Sequence, residues 1–251
     1  MKLSVSIISF NEEKNIGRTL EAVKEMADEI VLVDSFSTDN TVEIARSMGA
    51  KVFIENWKGH IAQKNSALKK CSGEWILALD CDEVVTPKLK VSIEKAIGSG
   101  DGFSGYALNR RTFYMGKFLK YSWQPDIKLR LVRKSANPAW GGYDPHDVLQ
   151  ANGKTSKLDG DLIHYSFSNF ADHMQKTAKH AKIAAESYAK KNMKCGLFSL
   201  LFRPWLTLIK KLFFQRGILD GAPGIIAAFS AAAYAYMKYA FLWEINKNND
   251  N

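Results

Sequence analysis

Glu74-Trp75-Ile76-Leu77-Ala78-Leu79-Asp80-Cys81-Asp82-Glu83 is a short apolar run that ends in three carboxylates. The run reads as a buried strand, and its end releases Asp80 and Asp82 together, at i and i+2. Oxygens so spaced can converge on a hard divalent cation, for which a phosphate group is the natural companion ligand. Asp and Glu also punctuate ordinary strand ends, so the neighbouring sequence decides between the two readings.

Upstream, short apolar segments alternate with helical patterns. Strands are expected over 3–10, 29–34, 50–54 and 74–79, and helices over 14–27, 40–48, 60–71 and 87–97. Thr86-Pro87 supplies a cap and a first-turn proline, and Asp39 or Asn40 precedes the helix that begins at Thr41. Such alternation predicts a largely parallel α/β sheet, whose ligands collect outside the carboxyl ends of the strands. Three polar clusters fall there: Asn11-Glu12-Glu13, Asp34-Ser35-Phe36-Ser37-Thr38-Asp39, and Asp80-Cys81-Asp82-Glu83. Asp34 can accept from a base N–H or a ribose hydroxyl, or it can simply cap a polar loop. Gln63-Lys64-Asn65 opens the next helix and offers a cation beside the same face, or a solvated helix start. No Gly-x-Gly-x-x-Gly follows the first strand and no Gly-x-x-x-x-Gly-Lys occurs, which disfavours a dinucleotide fold and a P-loop.

The 251 residues suit one main domain with an elaboration. Cys71, Cys81 and Cys195 are widely spaced and odd in number, so neither a disulfide framework nor a zinc site is expected, and a reducing cytoplasm fits. Leu3 to Phe10 is too short for a signal peptide and reads as the first strand. Charge is uneven: residues 1–106 hold 13 Lys and Arg against 16 Asp and Glu, and residues 107–251 hold 22 against 10. A basic C-terminal half can meet nucleic acid, anionic lipid or an acidic substrate.

Val5 to Glu13, Ile30 to Thr41 and Trp75 to Glu83, in that order and spacing, resemble the family-2 glycosyltransferases of GT-A fold. Gln63-Lys64-Asn65-Ser66-Ala67-Leu68 and a later His-acid pair are similar to the branch of lipopolysaccharide-core glucosyltransferases. The resemblance covers the chain to about residue 190 and the remainder more loosely. It implies an inverting, metal-dependent enzyme that transfers a sugar from a nucleotide diphosphosugar, here a UDP-sugar, with Mg2+ or Mn2+ as cofactor. Carried over, Ser9, Asn11, Glu12, Asp34, Ser35 and Asp39 lie along the nucleoside, with Asp34 reading the base and Lys64 near base or phosphate. Asp80 faces ribose and metal, Asp82 ligates the metal, and Glu83 orients its neighbours. His164, which ends a later strand, resembles a histidine that some GT-A enzymes bring to the metal or diphosphate.

The second half is expected to supply acceptor and base. Arg110 and Arg111 follow a strand over 103–109, and Ile127 to Arg133 alternates apolar and basic residues as a half-exposed strand would. These arginines, with Arg130, either solvate an edge or bind a phosphate or carboxylate of the acceptor. Gly141-Gly142-Tyr143-Asp144-Pro145-His146-Asp147 reads as a catalytic loop. Asp147 is the expected general base, His146 its positioner or an acceptor contact, and Asp144 the competing base or a turn former. The resembled branch commonly has Glu where this chain has Asp147.

Residues 169–192 read as a helix with Phe170, Met174, Ala178, Ala181 and Ala185 on its apolar stripe, and with His173 and several lysines on a basic face. Leu197 to Phe214 mixes large apolar residues, Trp205 and cations as interfacial helices do. Ile225 to Trp243 nearly reaches spanning length, but Lys238 and Pro223 point to a helix on a membrane or within a helical hairpin. The expected organisation is a catalytic domain over 1–168, with donor half 1–106 and acceptor half 107–168, and a helical membrane-associating region over 169–251. The expected enzyme moves glucose to a lipid-anchored glycan, a lipopolysaccharide inner core, at the inner face of the cytoplasmic membrane. Its partners are donor, lipid-linked acceptor and anionic membrane surface, and no nucleic acid. A polyprenyl-phosphate, capsule or exopolysaccharide transferase is the alternative within enzymes. A nucleotide-sugar-binding protein without catalysis, or a basic-aromatic RNA-binding protein, are the alternatives outside them.

Overall fold

The structure, a computed structural model, describes residues 2–143 and 146–249. Along the chain run β1 (Leu3–Ser9), α1 (Ile16–Val23), β2 (Glu29–Asp34), α2 (Thr41–Ser47), β3 (Lys51–Ile54), α3 (His60–Lys70) and β4 (Trp75–Asp80). There follow β5 (Glu83–Val85), α4 (Pro87–Ser99), β6 (Gly105–Tyr114), β7 (Lys117–Phe118), β8 (Ile127–Arg133), β9 (Ala139–Tyr143), β10 (His146–Gln150) and β11 (Thr155–His164). The chain closes with α5 (Phe170–Lys190), α6 (Leu197–Ile209) and α7 (Ala222–Asn249). Two compact units result: the chain up to Arg111 with Asp126–His164, and Thr112–Pro125 with the chain from Tyr165 onward.

The first unit is the expected α/β sheet, in the order β3-β2-β1-β4-β8-β6-β11-β5. β1, β2, β3 and β4 are mutually parallel, and β8 then pairs antiparallel with both β4 and β6. The near-continuous apolar character of β2 and β4 follows from burial on both faces, and β1 meets the same burial with small serines between its apolar residues. Leu3, Val5, Ile7, Ile30, Leu32, Trp75, Leu77 and Leu79 face one core, shared with α1 and α4. Val31, Val33, Ile76 and Ala78 face the other, with Ala67 and Leu68 of α3. α4 begins where expected, with the Thr86 hydroxyl accepting from Leu89 N–H and Pro87 in the first turn. Gly160 of β11, at φ +96°, lets that strand lie against α4, because a Cβ there would sit 2.5 Å from Leu89 N.

At the amino end of the sheet, Glu29 is buried and accepts from Ser4, Ser72 and Lys51. Burial pushes its carboxyl up, and the hydrogen bonds from Lys51, Ser4 and Ser72 more than offset this, holding it at about 2.

Three sequence expectations change in this unit. β6 runs through Arg110 and Arg111, which therefore lie within a strand and not after it. β8 is central in the sheet and not alternately exposed: Ile127 and Lys128 at its start are exposed, while Arg130, Leu131 and Val132 are all buried. Asp147 lies on strand β10, in register with Gly142 of β9, so the expected catalytic loop is a hairpin arm.

In the second unit α7 packs against α5 and α6, with Ala227, Ala228, Ser230, Ala235, Tyr239 and Leu242 buried. The expected boundary at 168 shifts, because 112–125 belongs with these helices. The Asp220 carboxylate, 1% exposed, accepts from the backbone N–H groups of Lys120, Tyr121 and Ser122 at 2.9, 3.1 and 2.7 Å. The stripe of α5 is also rotated from the expected one: His173, Thr177, Ala181, Ala184 and Ala185 are buried, and Phe170 is half exposed. His173 leaves the basic face because Tyr114 Oη lies 2.7 Å from its Nδ1 and Phe167 stacks on its ring, with Trp123 edge-on. Burial pushes the His173 imidazole down to about 4, so it is neutral there.

Candidate active site

The loops after β1 and β2 are laced to one another. Ser9 and Asp34 are register partners, and Ser9 Oγ donates to Asp34 Oδ2 at 2.7 Å. Ser37 N–H reaches Asp34 Oδ1 at 2.8 Å, and its hydroxyl reaches Oδ2. Asn11, at φ +54°, donates its N–H to Ser37 Oγ and accepts from Thr38 N–H. Glu12 N–H donates to Thr41 Oγ1, and Glu13 N–H donates to Asp39 Oδ2. Burial pushes the Asp39 carboxyl up, and the bonds from Thr41 and Glu13 outweigh it and hold it below the usual range. Gln63 Nε2 donates to Ser35 Oγ at 3.2 Å, tying α3 to the same loop.

The site residues expected along the nucleoside are therefore together, but several brace the loops. Asp34 has no exposed surface, and both its oxygens accept from Ser37 and Ser9. Beside exposed Asn11, Thr38 and Asn40, these loops present two aromatic rings: Phe10 and Phe36 are 57% and 58% exposed, Phe36 at φ +60°. A left-handed, solvent-facing aromatic residue is uncommon. Sequence reasoning passed over both rings, because a single Phe after a strand reads as core.

A buried charge network fills the end of β4. Lys64 Nζ lies 2.8 Å from Asp80 Oδ1 and 2.7 Å from Asp147 Oδ2. Arg130 Nη2 lies 2.7 Å from both Asp80 Oδ2 and Glu83 Oε1. Arg110 bridges Glu83 and Asp126, and Glu83 Oε2 accepts from Asp80 N–H, so Glu83 does orient Asp80. The Trp140 ring lies under Lys64, with Nζ 4.3 Å from its centroid, and Asn65 clamps the Trp140 backbone through both its N–H and its C=O. Burial pushes the Lys64 ammonium down, but Asp80 and Asp147 outweigh it and raise it. Burial likewise pushes the Asp80 carboxyl up, and Lys64 with Arg130 holds it well below the usual range.

This network overturns part of the expected acceptor site. Arg130 is 4% exposed and supports Asp80 from behind, so it does not face an acceptor. Arg110 is committed to Glu83 and Asp126 in the same way. Arg111, 3.5 Å from Asp161, is the most exposed of the three. Trp140 and Asp126 are partners that the sequence reading passed over: Asn65 of α3 holds the Trp140 backbone, and Asp126 just precedes β8 and pairs with Arg110.

Asp82 and His164 meet at the strand end, with His164 Nε2 3.3 Å from Asp82 Oδ2 and both side chains about a fifth exposed. Asp80, turned toward Lys64 and Arg130, does not join them. Among the described residues no group of three or more His, Cys, Asp and Glu side chains could hold a metal. A carboxylate and an imidazole still fit a hard divalent ion that takes its remaining ligands from phosphate oxygens and water. The side chain of His146 and the whole of Asp144 lie outside the described residues.

The sequence profile described as Glycosyl transferase family 2 matches residues 4–146. An uncharacterized glycosyltransferase of Rickettsia typhi is 30% identical over all of this chain and 89% of its own length. The lipopolysaccharide core biosynthesis glycosyltransferase LpsC of Rhizobium meliloti is 27% identical over 97% of this chain and 93% of its own. Among solved structures, a mannosyltransferase of Pyrobaculum calidifontis in complex with GDP-Man and Mn2+ aligns with a TM-score of 0.50 at 15% identity, over 99% of this chain and 86% of that one. That last likeness is one of fold.

Proposed function

The chain belongs to glycosyl transferase family 2, and on that footing we propose that it is an inverting hexosyltransferase acting on a lipid-anchored glycan. The donor is a UDP-sugar, glucose the sugar, and a lipopolysaccharide inner core the acceptor. The observation that carries this is the Asp82–His164 pair beside the Lys64-bridged carboxylates Asp80 and Asp147, at the carboxyl ends of the parallel strands. The likeness to LpsC over the whole chain supports the choice of acceptor.

Asp82 and His164 would hold Mg2+ or Mn2+, which when bound neutralises charge on the departing diphosphate. The rings of Phe10 and Phe36 offer faces for the nucleobase, and the laced loops of Asn11, Glu12 and Asp39 fix the rim around it. Lys64 places a positive charge beside the diphosphate, and Asp80 orients Lys64. Asp147 Oδ2 is held by Lys64, which leaves Oδ1 to take the proton of the acceptor hydroxyl. The acceptor oxygen then bonds to the anomeric carbon as the bond to the diphosphate breaks, and configuration inverts. His146 positions Asp147 or the acceptor, and Arg111 meets an acceptor phosphate or carboxylate. A peripheral seat on the inner face of the cytoplasmic membrane completes this reading.

Asp82→Ala is expected to lower metal-dependent release of nucleoside diphosphate by about 10³-fold while circular dichroism stays unchanged. Undiminished transfer by this variant in excess chelator would overturn the metal role. A donor panel with purified core acceptor and, in parallel, polyprenyl phosphate tests the substrate assignment.

A further inference from the structure

α6 and the π-helical turn after it (Lys210–Phe214) carry the composition of a core on an open surface. Leu197, Trp205, Phe213 and Phe214 are 74%, 65%, 61% and 81% exposed, and Phe198, Leu201, Phe202, Leu206 and Ile209 are exposed with them. Only a narrow stripe is covered: Leu208 is buried, and Leu200 packs against the cluster of Ala185, Tyr239 and Leu242. A helix apolar on nearly every side is stable only where something apolar covers the remainder. Residues 187–219 also contain seven Lys and Arg and no Asp or Glu.

We infer that the exposed face of α6 and its π-helical turn is the element that inserts into the interface of an anionic lipid bilayer, lying in its plane. This deepens the membrane seat named above and rests on it. Charge chooses the occupant. A second copy of this chain would bring the same seven cations to the contact, whereas anionic headgroups neutralise them while the acyl boundary receives the Phe, Leu and Trp side chains. α7 is the described helix long and apolar enough to cross a membrane, but it is not the seat. Its Tyr239 and Leu242 pack with Ala185 of α5 and Leu200 of α6, and Ala227 covers Tyr114 and Leu119, so its removal into lipid would uncover all of these.

The test is sedimentation of the full chain with vesicles of phosphatidylcholine and phosphatidylglycerol, and with phosphatidylcholine alone. The full chain is expected to sediment with the anionic vesicles and to be released as salt rises. Leu201→Glu with Trp205→Glu should lower the partition coefficient roughly tenfold or more. Phe229→Glu, on an exposed position of α7, should leave it unchanged. Lys194→Gln with Lys210→Gln, which keeps every apolar contact, should cost about fivefold per cation on anionic vesicles and nothing on neutral ones. Unchanged binding by the α6 double variant, loss of binding by Phe229→Glu, or a lipid-free dimer that the α6 variant dissociates would each overturn the assignment. Asp82→Ala should bind vesicles as the parent does, so the membrane inference and the catalytic reading fail separately.

Discussion

Lys64 is the common counterion of Asp80 and Asp147, and Arg130 is that of Asp80 and Glu83. Buried charges so shared tolerate no vacancy, because removing one partner leaves the others desolvated and uncompensated. Arg130→Met is therefore expected to lower unfolding free energy by roughly 3–5 kcal/mol in urea titrations. A contact with the acceptor would instead raise the acceptor KM and leave stability alone, so the two measurements separate the roles. At this scale Asp82, Asp147 and Lys64 were each singled out in the sequence, and the structure pairs Lys64 with Asp147 and Asp82 with His164. Arg130 was legible as a candidate cation but not as a buried one, because Ile127-Lys128-Leu129-Arg130-Leu131 alternates in the same way whether its strand is at an edge or in the middle. Asp34 was legible as important but not as buried, since a carboxylate that caps a loop and one that reads a ligand share the same local sequence.

Among elements, β2 and β4 were readable because burial on both faces writes an unbroken apolar run, and α4 because Thr86-Pro87 caps it. α5 was readable as a helix but not in its rotation, since an Ala-rich segment with scattered cations fits two stripes one residue apart. His173 settles the choice by stacking on Phe167 and pairing with Tyr114. Its imidazole titrates at about 4 in the folded chain against an ordinary 6.5, so between those values the unfolded chain binds a proton that the folded chain does not. Stability of the helical unit should then be complete above pH 6.5 and decline as pH falls toward 4, by about 3 kcal/mol at most. Thermal unfolding at pH 7 and pH 5 should show this gap, and His173→Gln should narrow it. Extending the measurements from pH 5 down to pH 2 should show Glu29 contributing stability above about 4.5 that is lost as pH falls toward 2.

At the scale of the whole molecule, a cut at residue 168 looks natural in sequence but divides a packed unit. A fragment ending there keeps residues 112–125 without Asp220 and without α7, leaving Tyr114 and Leu119 uncovered. It is expected to aggregate or to elute as large oligomers in size-exclusion chromatography where the full chain does not. The two-unit organisation was only half legible, because composition marks the helical region while the recruitment of 112–125 depends on hydrogen bonds spanning about 100 residues. That separation has a meaning in time. The ribosome adds about 5–20 residues per second, so the segment around Lys120 to Ser122 emerges roughly 5–20 s before the carboxylate that receives its N–H groups. For that interval three backbone N–H groups of the nascent chain wait without their acceptor, and a chaperone that shields the segment would act during synthesis and not after it.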